Sequence, residues 1–272
     1  MKRRTLGLTV LLLSAVATLA GAQDKPAPAA GAPPAKSGAD PTDFITRYEP
    51  SLEHKAVDGG VGLDLLTLRA DFALNSAASV RIDMPLVGYR PNDTLTASGA
   101  KPGFSLGDIV MQVTLKPYSD EKIAAIYGLR IDMDTATLKE VGQGGTTYTP
   151  IGAVAFFLPH KTMFAPFVQW YLGSGLDNLP QTGTRDVNRL SVRTLYLWQA
   201  GQKNVAYVTI DPEFIWDFVA HDFTATLGIE YGKAIGPAQL LILKPTFGLT
   251  SGTTNWGFKF AFRHMFPGRF IL

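Results

Sequence analysis

Opposite charges recur two residues apart along this chain, at Arg47/Glu49, Arg69/Asp71, Arg81/Asp83 and Arg130/Asp132. In an extended strand that spacing places both members on one face. Asp211/Glu213 is an acidic pair at the same spacing, and Arg189/Arg193 is a basic pair four residues apart. Asp108, Lys116, Glu230, Lys244, Lys259 and Arg263 fall on matching positions of other segments. Two chemistries suit such a set. Ion pairs can hold a wall together, or a charged surface can line a path that selects solutes. Ion pairing is the plainer reading for most single residues, while the set as a whole points to permeation.

Catalytic arrangements are poorly supported. The chain has no cysteine, which removes thiolate chemistry and disulfides. Its histidines, His54, His160, His221 and His264, show no metal-ligand spacing. Ser51 and His54 would face opposite sides of one strand, so they make no nucleophile–base pair. The run Gly142-Gln143-Gly144-Gly145 lacks the strand–loop–helix setting of a phosphate cradle. The expectation is a protein without enzyme activity, cofactor or metal.

The elements that must position the charges are strands. The stretch Asn255 to Phe266 is the clearest. Trp256, Phe258, Phe260, Phe262, His264 and Phe266 alternate with Gly257, Lys259, Ala261, Arg263 and Met265. About twelve such segments follow one another, at 43–55, 63–74, 79–89, 105–117, 122–133, 147–158, 163–172, 187–199, 204–214, 221–232, 238–247 and 255–266. Most are close to the ~9–11 residues that a tilted strand needs to cross a bilayer. The segment 147–158 is apolar on both faces, so its orientation is open. Long connections follow the third, fifth and seventh segments, and those after even-numbered segments are short. An up-and-down barrel with both termini in the periplasm sorts its loops in this way. Trp170, Trp198, Trp216, Trp256, Tyr48, Tyr196, Tyr231 and Phe266 lie near segment ends, where interfacial girdles form. Pro50, Pro85, Pro150, Pro166, Pro212 and Pro245 fall inside segments, and each must cost a ladder bond or mark a bulge.

Residues 1–22 read as a signal peptide. Lys2, Arg3 and Arg4 precede an apolar run, and Ala20-Gly21-Ala22 offers cleavage after Ala22. Residues 23–41 are rich in Pro and Ala and read as a periplasmic linker, leaving 42–272 for the barrel. Without the three basic residues of the signal, 22 of the 25 Lys and Arg remain against 23 Asp and Glu. Near-neutral charge gives no case for nucleic acid.

Four stretches resemble the MetA-like family of the meta pathway of phenol degradation, whose members are described as outer-membrane transporters. They are Pro41-Thr42-Asp43-Phe44-Ile45, Ser105-Leu106-Gly107-Asp108, Asp186-Val187-Asn188, and Trp256-Gly257-Phe258 with Phe260 and Phe266-Pro267. The resemblance implies an outer-membrane barrel passing small solutes, aromatic ones included. It carries over no binding residue.

The expected protein is thus an all-β transmembrane antiparallel up-and-down β-barrel of about twelve strands in a bacterial outer membrane. Its expected partners are outer-membrane lipid, a small-molecule solute and the barrel-insertion machinery. The alternatives are a non-conducting barrel acting through its long outer loops and, behind it, an outer-membrane lipid enzyme.

Overall fold

The computed structural model describes residues 38–97, 101–138, 141–176, 185–200, 206–251 and 254–266. The expected signal peptide, the linker up to residue 37, the loop at 177–184 and the terminal 267–272 lie outside them. The strands are β1 (Arg47–Val57), β2 (Val61–Ala73), β3 (Ala78–Arg90), β4 (Gly103–Leu106), β5 (Val110–Ser119), β6 (Ile123–Asp132) and β7 (Thr147–Leu158). They continue as β8 (Thr162–Leu176), β9 (Arg185–Ala200), β10 (Ala206–Asp217), β11 (Asp222–Gly236), β12 (Gln239–Gly248) and β13 (Thr254–Met265). A short α-helix, α1 (Asp93–Ala97), lies between β3 and β4, and a 3-10 turn at Asp58–Gly60 joins β1 to β2.

All ladders are antiparallel, and twelve strands form a closed ring in which β13 returns to β1. The thirteenth, β4, stands outside that ring. It pairs with β3 over Leu86–Tyr89, beyond the point at Asp83 where β5 stops pairing. The segment expected at 105–117 is therefore two strands. Residues 107–109 leave the ladder between them, because the Gly107 amide donates to the Pro85 carbonyl (2.8 Å) and Asp108 serves a loop.

Alternation explains the wall. Tyr48, Leu52, Tyr127, Phe164, Trp170, Tyr196, Trp198, Phe258 and Phe260 are exposed on outward positions, while Glu49, Asp71, Thr149, Asp211 and Arg263 are buried on inward ones. A closed wall leaves no unpaired edge, and an apolar exterior with a polar interior suits lipid outside and water within. The interior is not polar throughout. Beside Ala39 and Met265, near the two ends of the described chain, Ala124, Ala155, Met163, Ala165, Leu197, Tyr207, Leu240 and Ile242 pack into a buried cluster. This settles the orientation of β7. Thr149, Ile151, Ala153 and Ala155 point inward and are buried, whereas Phe156 is exposed outside. The inward face changes along the strand, from Thr147 and Thr149 through Ile151 against the cavity to Ala155 in the cluster.

The strand prolines follow one rule. Pro50 pairs with Leu68, Pro150 with Leu129, Pro166 with Thr194, Pro212 with Leu227 and Pro245 with Phe258. On the other side of each, the register passes over the proline. Pro85 pairs with Thr67 and lies beyond the last β3–β5 pair. Each missing N–H thus falls where the ladder is already interrupted, which confines the cost to one bond.

The first strand begins later than the alternation suggests. Residues 43–46 precede β1, and Phe44 faces the lumen rather than the outside. Thr46 is buried, its hydroxyl oxygen accepting from the Ala73 amide at 3.1 Å.

Candidate functional site

A cavity of about 710 Å³ occupies the barrel interior. Nine basic and seven acidic side chains among the described residues line it. The ladder register explains how they meet. Glu49 stands opposite Arg69 and Arg47 opposite Asp71 across β1–β2. Arg69 stands opposite Asp83 and Asp71 opposite Arg81 across β2–β3. Directly opposite residues have Cβ atoms about 4.5–5.5 Å apart, well inside the distance between alternate residues of one strand. The charges therefore bond across strands, not along them. Arg69 Nε and Nη2 donate to the two oxygens of Asp83 at 2.7 and 2.8 Å. Arg47 Nε and Arg81 Nε each donate to Asp71 at 2.8 Å. Glu49 accepts from Lys259 Nζ at 3.0 Å and from Arg263 Nε at 2.6 Å, with Arg69 Nη1 at 4.0 Å.

The opposite wall carries a second group. Asp211 accepts from Arg193 Nε at 3.1 Å, again from Arg193 Nη2, and from Lys244 Nζ at 3.0 Å. Glu213 accepts from the Ser191 hydroxyl and Glu230 from the Tyr207 hydroxyl, both at 2.6 Å. Arg130 is the exception that bonds along its own strand, donating from Nε to Asp132 at 3.0 Å. It also lies over the Tyr171 ring, 6.0 Å from the centroid, and Arg193 lies over Phe167 at 5.9 Å. These are favourable cation–aromatic placements.

Of the candidate residues, Arg47, Arg69, Asp71, Arg81, Arg130, Arg193, Asp211, Glu213, Glu230, Lys244, Lys259 and Arg263 line the cavity. Glu49, Asp83 and Asp132 are buried behind their basic partners. Three others are elsewhere. Arg189 pairs with Asp217 at 2.7 Å near the long-loop end. Asp108 is not a lumen group. It accepts from the amides of Thr135 (3.2 Å), Ala136 (3.1 Å) and Gln143 (2.5 Å), fixing the connection between β6 and β7. Lys116 donates to the Thr42 carbonyl at 2.9 Å and lies over the Phe44 ring.

Sequence reading missed what Lys116 holds. Residues 38–45 do not leave the barrel mouth. Gly38, Ala39, Asp40, Pro41, Phe44 and Ile45 line the cavity, and Ala39 and Ile45 pack on the apolar cluster. Arg263 Nη1 donates to the Gly38 carbonyl at 2.8 Å, and Arg47 Nη1 donates to the same oxygen. Asp40 accepts from the Thr42 amide (2.8 Å) and hydroxyl (2.7 Å). Burial pushes the Asp40 carboxyl above its ordinary 3.8, against the Thr42 bonds, with Asp43 adding to the rise and Lys116 opposing it. The signal was the polar Thr42-Asp43 next to Phe44, which fits a membrane-facing strand badly.

On the exterior, His54 Nδ1 lies 2.7 Å from Asp64 Oδ1, and Arg90 Nη2 donates to Asp64 Oδ2 at 2.7 Å. This trio faces outward near the long-loop end, with the Trp256 ring 5.0 Å from His54. Trp170 Nε1 donates to Asn188 Oδ1 at 2.8 Å at the same level. Among the described residues no group of His, Cys, Asp and Glu is placed to hold a metal ion.

The chain is similar in fold to solved outer-membrane proteins. It aligns with the crystal structure of an outer membrane channel from Pseudomonas putida F1 at a TM-score of 0.61 and 12% identity, covering 88% of this chain and all of that one. The NanC porin aligns at 0.54 and 6% identity, covering 82% of this chain and all of the porin. The KdgM porin, in complex with disordered oligogalacturonate, aligns at 0.51 and 10% identity, covering 81% and 99%. No protein-family model matches the chain, and no curated protein does. At these identities the likeness is one of fold: a twelve-stranded barrel of the outer-membrane type.

Proposed function

We propose that this barrel is an outer-membrane channel for small solutes, held in lipid by its apolar exterior and placed there by the barrel-insertion machinery. One observation carries the reading: a closed wall with an apolar outside encloses a large cavity lined by charged groups. A purely structural barrel of this size gains more from a packed apolar interior than from buried charge, since desolvating ions offsets much of their attraction. The lumen-lining residues named above are proposed as the solute path. The finer assignment, to a MetA-like transporter of small aromatic solutes, rests on the four sequence stretches alone. Two of them have structural duties that suit a shared architecture. Pro41–Ile45 occupies the mouth, and Ser105–Asp108 turns the chain out of the wall.

The test is single-channel recording of the signal-free protein refolded into a planar bilayer. Discrete conductance steps are expected, larger in a variant lacking residues 23–45. The second reading, a non-conducting barrel acting through its outer loops, draws on the seated segment 38–45. It is favoured if both proteins are folded and silent and a partner binds only when the loops are intact.

A further inference from the structure

The lumen charges are unequal in depth. In the ion pairs that the strands form around the lumen the carboxylate is the more buried partner. The side chains of Arg69, Arg81, Arg130, Arg193 and Lys244 are 23–29% exposed, against 5–11% for Asp83, Asp71, Asp132 and Asp211. Side-chain length is the cause. An aspartate ends close to the wall, while arginine and lysine reach past it toward water.

On one wall the inequality is also one of number. Across β13, β1, β2 and β3, six cations share four carboxylates. Asp71 is divided between Arg47 and Arg81, and Glu49 between Lys259 and Arg263. The wall keeps an excess of two positive charges, and in each pair the acid lies deeper than its cation. A further observation shows what such a surface takes. The Gly38 carbonyl, which comes from outside the wall, is held there by Arg47 and Arg263. The wall is already binding an oxygen acceptor through its guanidinium groups.

From these observations we infer that the β13–β1–β2–β3 wall is a binding subsite for small organic carboxylate anions, centred on Arg69 and Arg81. The inference rests on the channel reading and adds the charge class of its solute. Guanidinium groups fit a planar carboxylate in two-point contact and retain charge at any working pH. A neutral solute of equal shape gains none of this.

The test is calorimetric titration of the full signal-free chain, refolded in detergent, with benzoate and with benzamide as the uncharged match. Benzoate is expected to bind at least about tenfold more tightly, the worth of one charge-assisted contact. Arg69→Gln and Arg81→Gln should each remove about that factor, while Arg69→Lys, which keeps the charge but loses the two-point contact, should retain only part of it. Arg189→Gln, outside the cavity, serves as the reference for a folded barrel. Equal binding of the two ligands, or binding of neither, overturns the subsite. Reversal potentials in a salt gradient separate the two proposals. A silent barrel that binds benzoate leaves the subsite and removes the channel. A conducting barrel without anion preference or benzoate binding leaves the channel and removes the subsite.

Discussion

Tyr207 lays its ring in the space left by Gly232, directly across the β10–β11 ladder. A Cβ at Gly232 would stand 2.1 Å from Tyr207 Cε1. Tyr207 is fully buried, and its hydroxyl donates to Glu230 on the same partner strand. Gly232→Ala is expected to destabilise the barrel by about 1–3 kcal/mol, the usual cost of overpacking. Urea unfolding of the refolded protein measures it. The penalty should shrink in a Tyr207→Ala background, and equal penalties in both backgrounds would show that the pair is not coupled.

Glu49 is the buried hub of one wall, and Asp217 belongs to a shallower pair with Arg189. Removing a hub carboxylate leaves Lys259 and Arg263 facing each other without their counter-charge. Glu49→Gln should therefore cost about 3–5 kcal/mol. Asp217→Asn should cost about 1 kcal/mol or less through its ion pair. Unfolding midpoints of the two variants, compared side by side, check the ranking.

The seated segment predicts a pH response with a definite sign. Docked, the Asp40 carboxyl titrates above 3.8; released into water, it returns to 3.8. The docked state holds the proton more tightly, so docking is strongest below pH 3.8. It weakens as pH rises from 3.8 through the docked value. Channel conductance is expected to be lower at about pH 4 than at about pH 7, and Asp40→Asn should flatten that difference. An unchanged profile in the variant would assign the response to other carboxylates.

Proline placement gives a fourth prediction. Pro212 pairs only toward β11, so Pro212→Ala should change stability by no more than about 0.5 kcal/mol. Ile210 is paired on both sides, and Ile210→Pro should cost about 3 kcal/mol or more. Thermal unfolding in the same detergent distinguishes these outcomes.

Much of this wall was legible because a period of two survives any packing detail. Tyr207, Thr209, Asp211 and Glu213 could be assigned inward from the alternation with Val208, Ile210 and Phe214 alone. Ion-pair partners could not be read this way. They depend on register, which turns and prolines set, so Arg69 looked tied to Asp71 and is in fact bonded to Asp83. The role of Asp108 was hidden for a related reason. Its apparent strand breaks at Gly107, and only the folded loop brings the amides of Thr135 and Ala136 to it. The segment at 38–45 escaped in two parts: 38–41 end a Pro/Ala-rich stretch with no periodicity to announce a docked conformation, and the alternation carried 43–45 into the first strand.

The ring closes between its first and last strands, and Glu49 marks the seam. Its partners Lys259 and Arg263 lie 210 and 214 residues further along the chain. Contacts of such sequence separation come late, because their loop entropy must be met before they contribute. Until β13 arrives, the Glu49 carboxylate has only the more distant Arg69 from its neighbouring strand. A half-built barrel therefore carries an uncompensated acid at its open edge. This raises the free energy of a barrel that lacks β13, and closure of the ring removes the penalty.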